Sequence, residues 1–423
     1  MKRNLISFFS LLTLIGLTTT GCLKDKCEQE ITYLNWVPVT KTAAEIQQPI
    51  ETLSPQPLEN PGKIYFYGKY VLINELRKGI HVIDNTDPAN PLPVSFISIP
   101  GNVDMAVSND LLYADNYTDL LTIDLSDPHD AQQLSRSEMV FPPLWEEAPG
   151  NFVVYMDPQV VTEVVDCKSG RTSSGFFVDD LVLFSESGDI AAPNSSQNGN
   201  TGIGGSMARF TIAAGHLYTV NEADLRVFDL SQPTAPSLVN TIGLGWGIET
   251  IFPYEDKLFI GSNSGMFIFD NSQPASPTEL SRFAHVTACD PVFVKDNFAY
   301  VTLRNGTACQ GFENQLDLID ISDLSNPQLE KSFGMDNPHG LSIRDNDLYL
   351  CEGDFGLKVF DISDPVNLDD HQIDHRKDLH AYDVIAIPGA SKVIMVIGED
   401  GFYQYDASKP DDLQLLSKIG VGL

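Results

Sequence analysis

Seven times along this chain a run of alternating apolar residues ends in an aspartate, and a small polar turn, mostly with proline, follows. Two copies read Val82-Ile83-Asp84-Asn85-Thr86-Asp87-Pro88 and Thr122-Ile123-Asp124-Leu125-Ser126-Asp127-Pro128; the others are anchored on Asp229, Asp270, Asp320, Asp361 and Asp406. Successive anchors lie 40, 105, 41, 50, 41 and 45 residues apart. A period near 40 residues is that of a four-stranded propeller blade. Within the second unit, alternation and turn residues divide the chain into strands 103–108, 111–116, 119–124 and 133–140; in the sixth they give 340–344, 347–352, 356–361 and 368–375. Seven such units fill the chain from Lys63 to Ile419. The expected fold is all-β, a seven-bladed β-propeller of four-stranded antiparallel blades. The anchor aspartates read as structural, because a carboxylate can accept the N–H groups of the turn it opens while proline presets φ there.

Segments such as Gly79-Ile80-His81-Val82-Ile83-Asp84 and Gly356-Leu357-Lys358-Val359-Phe360-Asp361 resemble the LVIVD-repeat proteins, exported propeller lipoproteins. The likeness extends over essentially all of residues 62–423. It implies the propeller and the exported address; it implies no particular activity, since propellers host enzymes, receptors and scaffolds alike.

Two stretches break the period. The 105-residue gap leaves about 64 residues beyond one blade, an insertion over 141–204 between blades two and three that is expected at the surface. Residues 22–61 form a leader, in which Ile31 to Val37 could pack on a blade or add an edge strand.

The start of the chain sets the compartment. Met1-Lys2-Arg3-Asn4 is basic, Leu5 to Leu17 is mostly apolar, and Thr18-Thr19-Thr20-Gly21-Cys22 follows, so residues 1–21 read as a signal peptide. Gly21-Cys22 resembles the cleavage box of bacterial lipoproteins, which implies lipidation of Cys22 and a membrane-anchored protein of the cell envelope, expected at the outer membrane and facing the periplasm or the outside. The formal net charge of -32 excludes nucleic acid as a partner. Removal of residues 1–21 takes away two cations and no acid, so anionic lipid would repel the mature chain, and membrane contact is expected through the acyl chains alone. The chain is otherwise expected to be monomeric.

Of the remaining cysteines, Cys289 begins strand one of blade five and Cys309 sits in its long loop, which suggests a disulfide; Cys351 lies in an apolar strand and reads as a buried thiol, and Cys27 and Cys167 have no assigned pairing.

Propeller geometry puts the link before each strand one and the loop between strands two and three on one face. The links carry Asp104, Glu249, Asp290, His339 and His380, and the ends of strand two carry Glu75, Asp115 and Glu352, each nine residues before its anchor. The 141–204 insertion and the long blade-five loop, Asn305 to Asn314, open on this face too. It is the candidate binding rim, for a protein or an extracellular polymer. No resident cofactor is expected; an acidic rim with histidines leaves calcium or another divalent cation open. Without GxSxG, HExxH or P-loop, catalysis has weaker support, and no catalytic residue is assigned. The alternative is an envelope hydrolase or lyase, or a metal-dependent receptor, working at the central channel through the same acids and histidines.

Overall fold

The computed structural model describes residues 28–166, 201–284, 291–304, 314–387, 389 and 392–422. Seven sheets each contain four consecutive antiparallel strands laid side by side in chain order. The first holds Pro61–Tyr67, Tyr70–Glu75, Gly79–Asp84 and Leu92–Ser98; the second holds Met105–Ser108, Leu111–Asn116, Asp119–Asp124 and Gln132–Ser137. The third runs from Phe210–Ala213 to Ser237–Gly243, the fourth from Ile248–Tyr254 to Thr278–Ala284 and the fifth from Val292–Lys295 to Gln328–Gly334. The sixth runs from Leu341–Arg344 to Gln372–Arg376 and the seventh from Asp383–Ala386 to Gln414–Gly420. Strand one of each sheet touches strand one of the next, and the seventh returns to the first, so the sheets close a ring with strand one innermost. The protein is an all-β propeller of antiparallel four-stranded sheets.

Each anchor aspartate behaves as its turn requires. Asp84, Asp124, Asp229, Asp270, Asp320, Asp361 and Asp406 all accept the backbone N–H two residues on, from Thr86, Ser126, Ser231, Ser272, Ser322, Ser363 and Ser408. A bulge between strands three and four recurs in every sheet, opposite or within the two residues before the anchor, such as Val82/Ile83, Ile268/Phe269 and Gln404/Tyr405. One extra residue there increases the twist of the outer strand. The short repeat therefore encodes both the turn and the curvature of a blade.

The same hydrogen bonds hold these carboxyls below the usual range, Asp84 at about 2, with the Lys69 ammonium its largest cause. The hydroxyl and N–H of the turn residue lower the other six, the N–H leading at Asp229 and Asp320. A depressed native pKa means the native state binds fewer protons than the unfolded chain, so stability present above about pH 4 is lost as pH falls toward 2. Denaturant midpoints measured between pH 5 and pH 2 are expected to fall, and Asp→Asn at several anchors should flatten that slope; a slope unchanged by the substitutions would show that the turns do not supply it.

All four strands of the seventh sheet come from one stretch of chain, so the ring closes without exchanging a strand. Apolar side chains do the closing: Ile64, Val71, Ile73 and Ile83 of the first sheet bury against Ile385, Met395, Ile397 and Phe402 of the seventh. Each such side chain removed from water contributes about 1.5–3 kcal/mol. Asn85 and Gln404 exchange two side-chain hydrogen bonds across the same seam, and Gly422 donates to the Leu58 carbonyl.

Several elements differ from the sequence reading. Strand four of the sixth sheet starts at Gln372 because Pro365–Asp370 is a 3-10 helix. The added edge strand on the first sheet is Glu51–Leu53, paired with Phe96–Ser98, rather than 31–37. Residues 31–37 belong instead to the long strand Glu28–Thr42, in a separate three-stranded sheet with Trp145–Ala148 and Asn151–Asp166. Residues 38–156 and the described residues from 201 onward form one compact unit; residues 28–37 and 157–166 belong to a second. Among the described residues no helix is long and apolar enough to cross a membrane.

Candidate functional site

The carboxylates at the ends of strand two hold their own sheets together. Glu75 accepts the N–H groups of Glu59 and Asn60, which lead into strand one of the first sheet, and its Oε2 lies 3.1 Å from His81 Nε2. Glu352, fully buried, repeats the pattern in the sixth sheet with the N–H groups of Asp336 and Asn337 and the Lys358 ammonium 3.2 Å away. Asp115 accepts from Val103 and Asp104 N–H and from Asn102 Nδ2. Burial is the strongest influence on both Asp115 and Glu75. It pushes the half-buried Asp115 up to about 6, against its two N–H donors. At Glu75 burial is outweighed by His81 and the two N–H groups together, and the carboxyl lies below its ordinary value.

Asp104 is buried beside an equally buried cation, Lys63 Nζ, 2.9 Å away on strand one of the first sheet. It also accepts the Arg209 N–H at 2.6 Å. Glu249 is half-buried at a bulge in strand one of the fourth sheet, three residues after Trp246, which is 73% exposed between two glycines with positive φ. Asp290, the Cys289–Cys309 pairing and Cys22 lie outside the described residues, as do Cys27 and Cys167. Cys351 is a free, buried thiol whose pKa burial drives far above the ordinary value.

The channel inside the ring is crossed by the protein's own chain. Ile203–Gly204 pairs with Phe66 and Tyr65 on the inner edge of the first sheet, and Gly202 donates to Val107 of the second. Ser206 donates from N and Oγ to Asp383 Oδ1 of the seventh sheet and accepts the Leu341 N–H of the sixth at 2.6 Å. Ala208 accepts from Ile251 of the fourth, and Arg209 accepts from Val220 of the third. Ser206, Met207 and Ala208 are buried. The last residues of the 141–204 insertion therefore run through the middle of the molecule rather than over its surface. Two positions can carry no side chain: a Cβ on Gly205 would stand 1.7 Å from Asp383 Oδ2, and one on Gly340 would stand 2.3 Å from Oδ1 of the same carboxylate.

Of the eight rim candidates, His339 and His380 come together. Both precede strand one, in the sixth and seventh sheets, and Tyr382 lies between their rings, with centroids 5.4 Å from His339 and 4.1 Å from His380. Arg304, one residue past strand two of the fifth sheet, sets Nη1 against both ring nitrogens of His339, 2.9 Å from Nε2. His380 Nε2 is 3.6 Å from Asp354 Oδ1, while its Nδ1 is buried with no hydrogen-bond partner. Burial first and the Arg304 charge second hold His339 well below the ordinary imidazole range. Burial also lowers His380, against the pull of Asp354, Glu399 and Asp400. At neutral pH the group holds two neutral imidazoles, a phenol and one guanidinium; Arg304 and His339 are buried and the His380 side chain nearly so, while Asp354 and Phe355, 48% exposed, flank it at the solvent. Its solvent edge, Asp354 and Phe355, can offer a partner a carboxylate acceptor and an aromatic ring.

Among the described residues, no three His, Cys, Asp or Glu side chains are grouped to hold a metal ion. Asp345-Asn346-Asp347, calcium-like in composition, is the turn between strands one and two of the sixth sheet, with Asp345 at φ 55° and paired with Lys392.

The fold and the repeated anchor turn define the class: a β-propeller built from one recurring strand-and-turn unit. The chain carries LVIVD repeats; a model of that repeat family matches residues 204–242 and 287–334, which span the fifth sheet and all but the last residue of the third. No curated protein matches the chain. Among solved structures, the computationally designed Ika8 protein is similar at TM-score 0.50 and 10% identity, over 88% of this chain and 92% of that one. A functionally unknown protein from Desulfotomaculum acetoxidans gives 0.48 and 12% over 85% and 95%, and BamB from Moraxella catarrhalis gives 0.46 and 8% over 88% and 96%. The first of these likenesses concerns the fold alone.

Proposed function

We propose that this protein is an exported, lipid-anchored binding scaffold of the bacterial cell envelope, which engages a protein or an extracellular polymer through the rim where Arg304, His339, His380 and Tyr382 meet. The observation that carries the reading is the contrast between channel and rim. The axis is filled by residues 201–208, whereas the cluster draws its side chains from the fifth, sixth and seventh sheets at the face where propeller loops converge. The basic, apolar and small-residue succession up to Cys22 supports the anchor. Asp104, Glu75, Asp115 and Glu352 are engaged in holding sheets together, which weighs against an acid-lined catalytic channel.

Two measurements test the reading. The wild-type chain should incorporate radiolabelled palmitate and fractionate with membranes, and Cys22→Ser should do neither; labelling of the variant would defeat the anchor. A photo-crosslinking residue at Phe355 should give adducts in intact cells, while the same residue at Ser276, on the loops of the opposite face, should give none. Identical adduct patterns from both positions would overturn the assignment of the face.

A further inference from the structure

The link from Leu244 to Gly247 joins the outer strand of the third sheet to strand one of the fourth, so it lies on the candidate rim. Its backbone is tied down on both sides. The N–H groups of Leu244, Gly247 and Ile248 donate to the carbonyls of Ala223 and Glu222, between strands two and three of the third sheet. The Gly247 carbonyl accepts the Asn263 N–H at 2.7 Å, from the corresponding loop of the fourth. Leu244 and Ile248 are buried, yet Trp246 between them is 73% exposed, the most exposed large apolar side chain described. Gly245 and Gly247 take φ of 102° and 86°, a backbone that side chains disfavour, and so hold the indole up. Among the described residues the indole makes no hydrogen bond and no ring contact. Folding ordinarily covers most of a tryptophan, so a pinned loop that leaves one bare is a preformed contact.

The neighbouring loops decide what such a ring can take. Over residues 221–223, 244–248 and 263–264, Trp246 is the one exposed large apolar side chain. Glu222 and Asn263 are half-buried and Ser264 is exposed. The Asn263 carboxamide lies against Gly247, where a Cβ would stand 2.2 Å from its Cγ and 2.3 Å from both its oxygen and its nitrogen. A protein hot spot sits in a packed surround that excludes water, whereas this ring is edged by a carboxylate, a carboxamide and a hydroxyl. We infer that Trp246 is a sugar-stacking platform, through which the rim binds a neutral polysaccharide. The weakly positive C–H hydrogens of a pyranose face suit the negative face of the indole, and hydroxyls at the ring edge suit Glu222, Asn263 and Ser264. With a net charge of -32, the protein repels a polyanion, so the sugar is an uncharged one. The inference narrows the polymer alternative of the scaffold reading, on which it rests, and sets it on the third and fourth sheets rather than at His339 and His380.

The experiment is affinity electrophoresis of the wild-type protein, solubilised in a detergent without a sugar headgroup. Dextran, hydroxyethyl cellulose, soluble starch and galactomannan serve as neutral probes, and polygalacturonate as the anionic one. At least one neutral probe should retard the wild type, and Trp246→Ala should need about ten times as much of it for the same retardation. Polygalacturonate should retard neither. Most of the indole already lies in water, so the denaturant midpoint of Trp246→Ala should match the wild type and show that the variant is folded. A folded Trp246→Ala protein retarded like the wild type, or a wild type that none of the neutral probes retards, would overturn the inference, as would stronger retardation by polygalacturonate. His380→Ala separates the platform from the reading it rests on. Retardation lost in His380→Ala and kept in Trp246→Ala would defeat the platform and leave the polymer at the cluster; retardation lost in Trp246→Ala alone would support the platform and take the polymer away from the cluster. If no probe retards the wild type, the platform falls and the crosslinks at Phe355 judge the scaffold.

Discussion

Gly205→Ala is expected to destabilise the protein by about 2–6 kcal/mol and to free residues 201–209 from the channel. The added methyl would overlap Asp383, 1.7 Å from Oδ2 and 2.5 Å from Cγ. That carboxylate is buried at the start of strand one of the seventh sheet, bonded to both N and Oγ of Ser206. It has no solvent to swing into, so either the strand or the crossing segment must shift. Overpacking of this kind costs about 1–3 kcal/mol, and losing the hydrogen bonds of Ser206 to Asp383 and from Leu341 adds about 1–3 kcal/mol more. Gly334→Ala, where a Cβ meets nothing within 4 Å, is the neutral control. Asp383→Ala should recover part of the loss in the Gly205→Ala background, because the two changes share one contact. A Gly205→Ala protein with the denaturant midpoint of the wild type would show that the crossing segment does not seat against Asp383.

The ring was legible because its information is periodic. Each blade repeats an alternation of period two, an aspartate and a turn, so errors in one unit are corrected by the other six. Local departures were harder. The 3-10 helix Pro365–Asp370 sits where the outer strand begins elsewhere, and Glu51–Leu53 is too short and polar to announce itself as an edge strand.

The rim was legible as a direction rather than as a site. Topology alone says which loops share a face; by that rule His339 and His380 stand on one rim, and the structure brings both rings against Tyr382. It could not say that Glu75, Asp115 and Glu352 would turn back onto the N–H groups preceding their own sheets, since a carboxylate nine residues before an anchor looks the same whether it points at backbone or at solvent. Arg304 escaped notice for a countable reason: the long loop of the fifth unit displaces the position nine before Asp320, hiding the fact that Arg304 comes one residue after strand two. The crossing segment had a signal, the run Gly202-Ile203-Gly204-Gly205-Ser206-Met207-Ala208, but a glycine-rich run reads as flexible loop until the crowding around Asp383 shows why Gly205 can carry no side chain.

Lys63→Met should cost about 3–5 kcal/mol, the usual penalty for stranding one member of a buried ion pair. Lys63 and Asp104 are 6% and 3% exposed, and their contact ties strand one of the first sheet to the approach to strand one of the second. Removing the ammonium leaves a carboxylate with the N–H groups of Met105 and Arg209 for company. Those two N–H bonds remain as partial compensation, so Asp104→Asn introduced beside Lys63→Met should restore about half of the loss by removing the stranded charge while keeping an oxygen for the N–H donors. The damage should also travel: Arg209 ends the segment that fills the channel, so its amide and that of Gly202 should exchange hydrogen faster in Lys63→Met than in the wild type. Retention of wild-type stability within about 0.5 kcal/mol, or unchanged exchange at both amides, would mean that the pair is dispensable and that the crossing segment is held by Asp383 and the inner strands without help from Asp104.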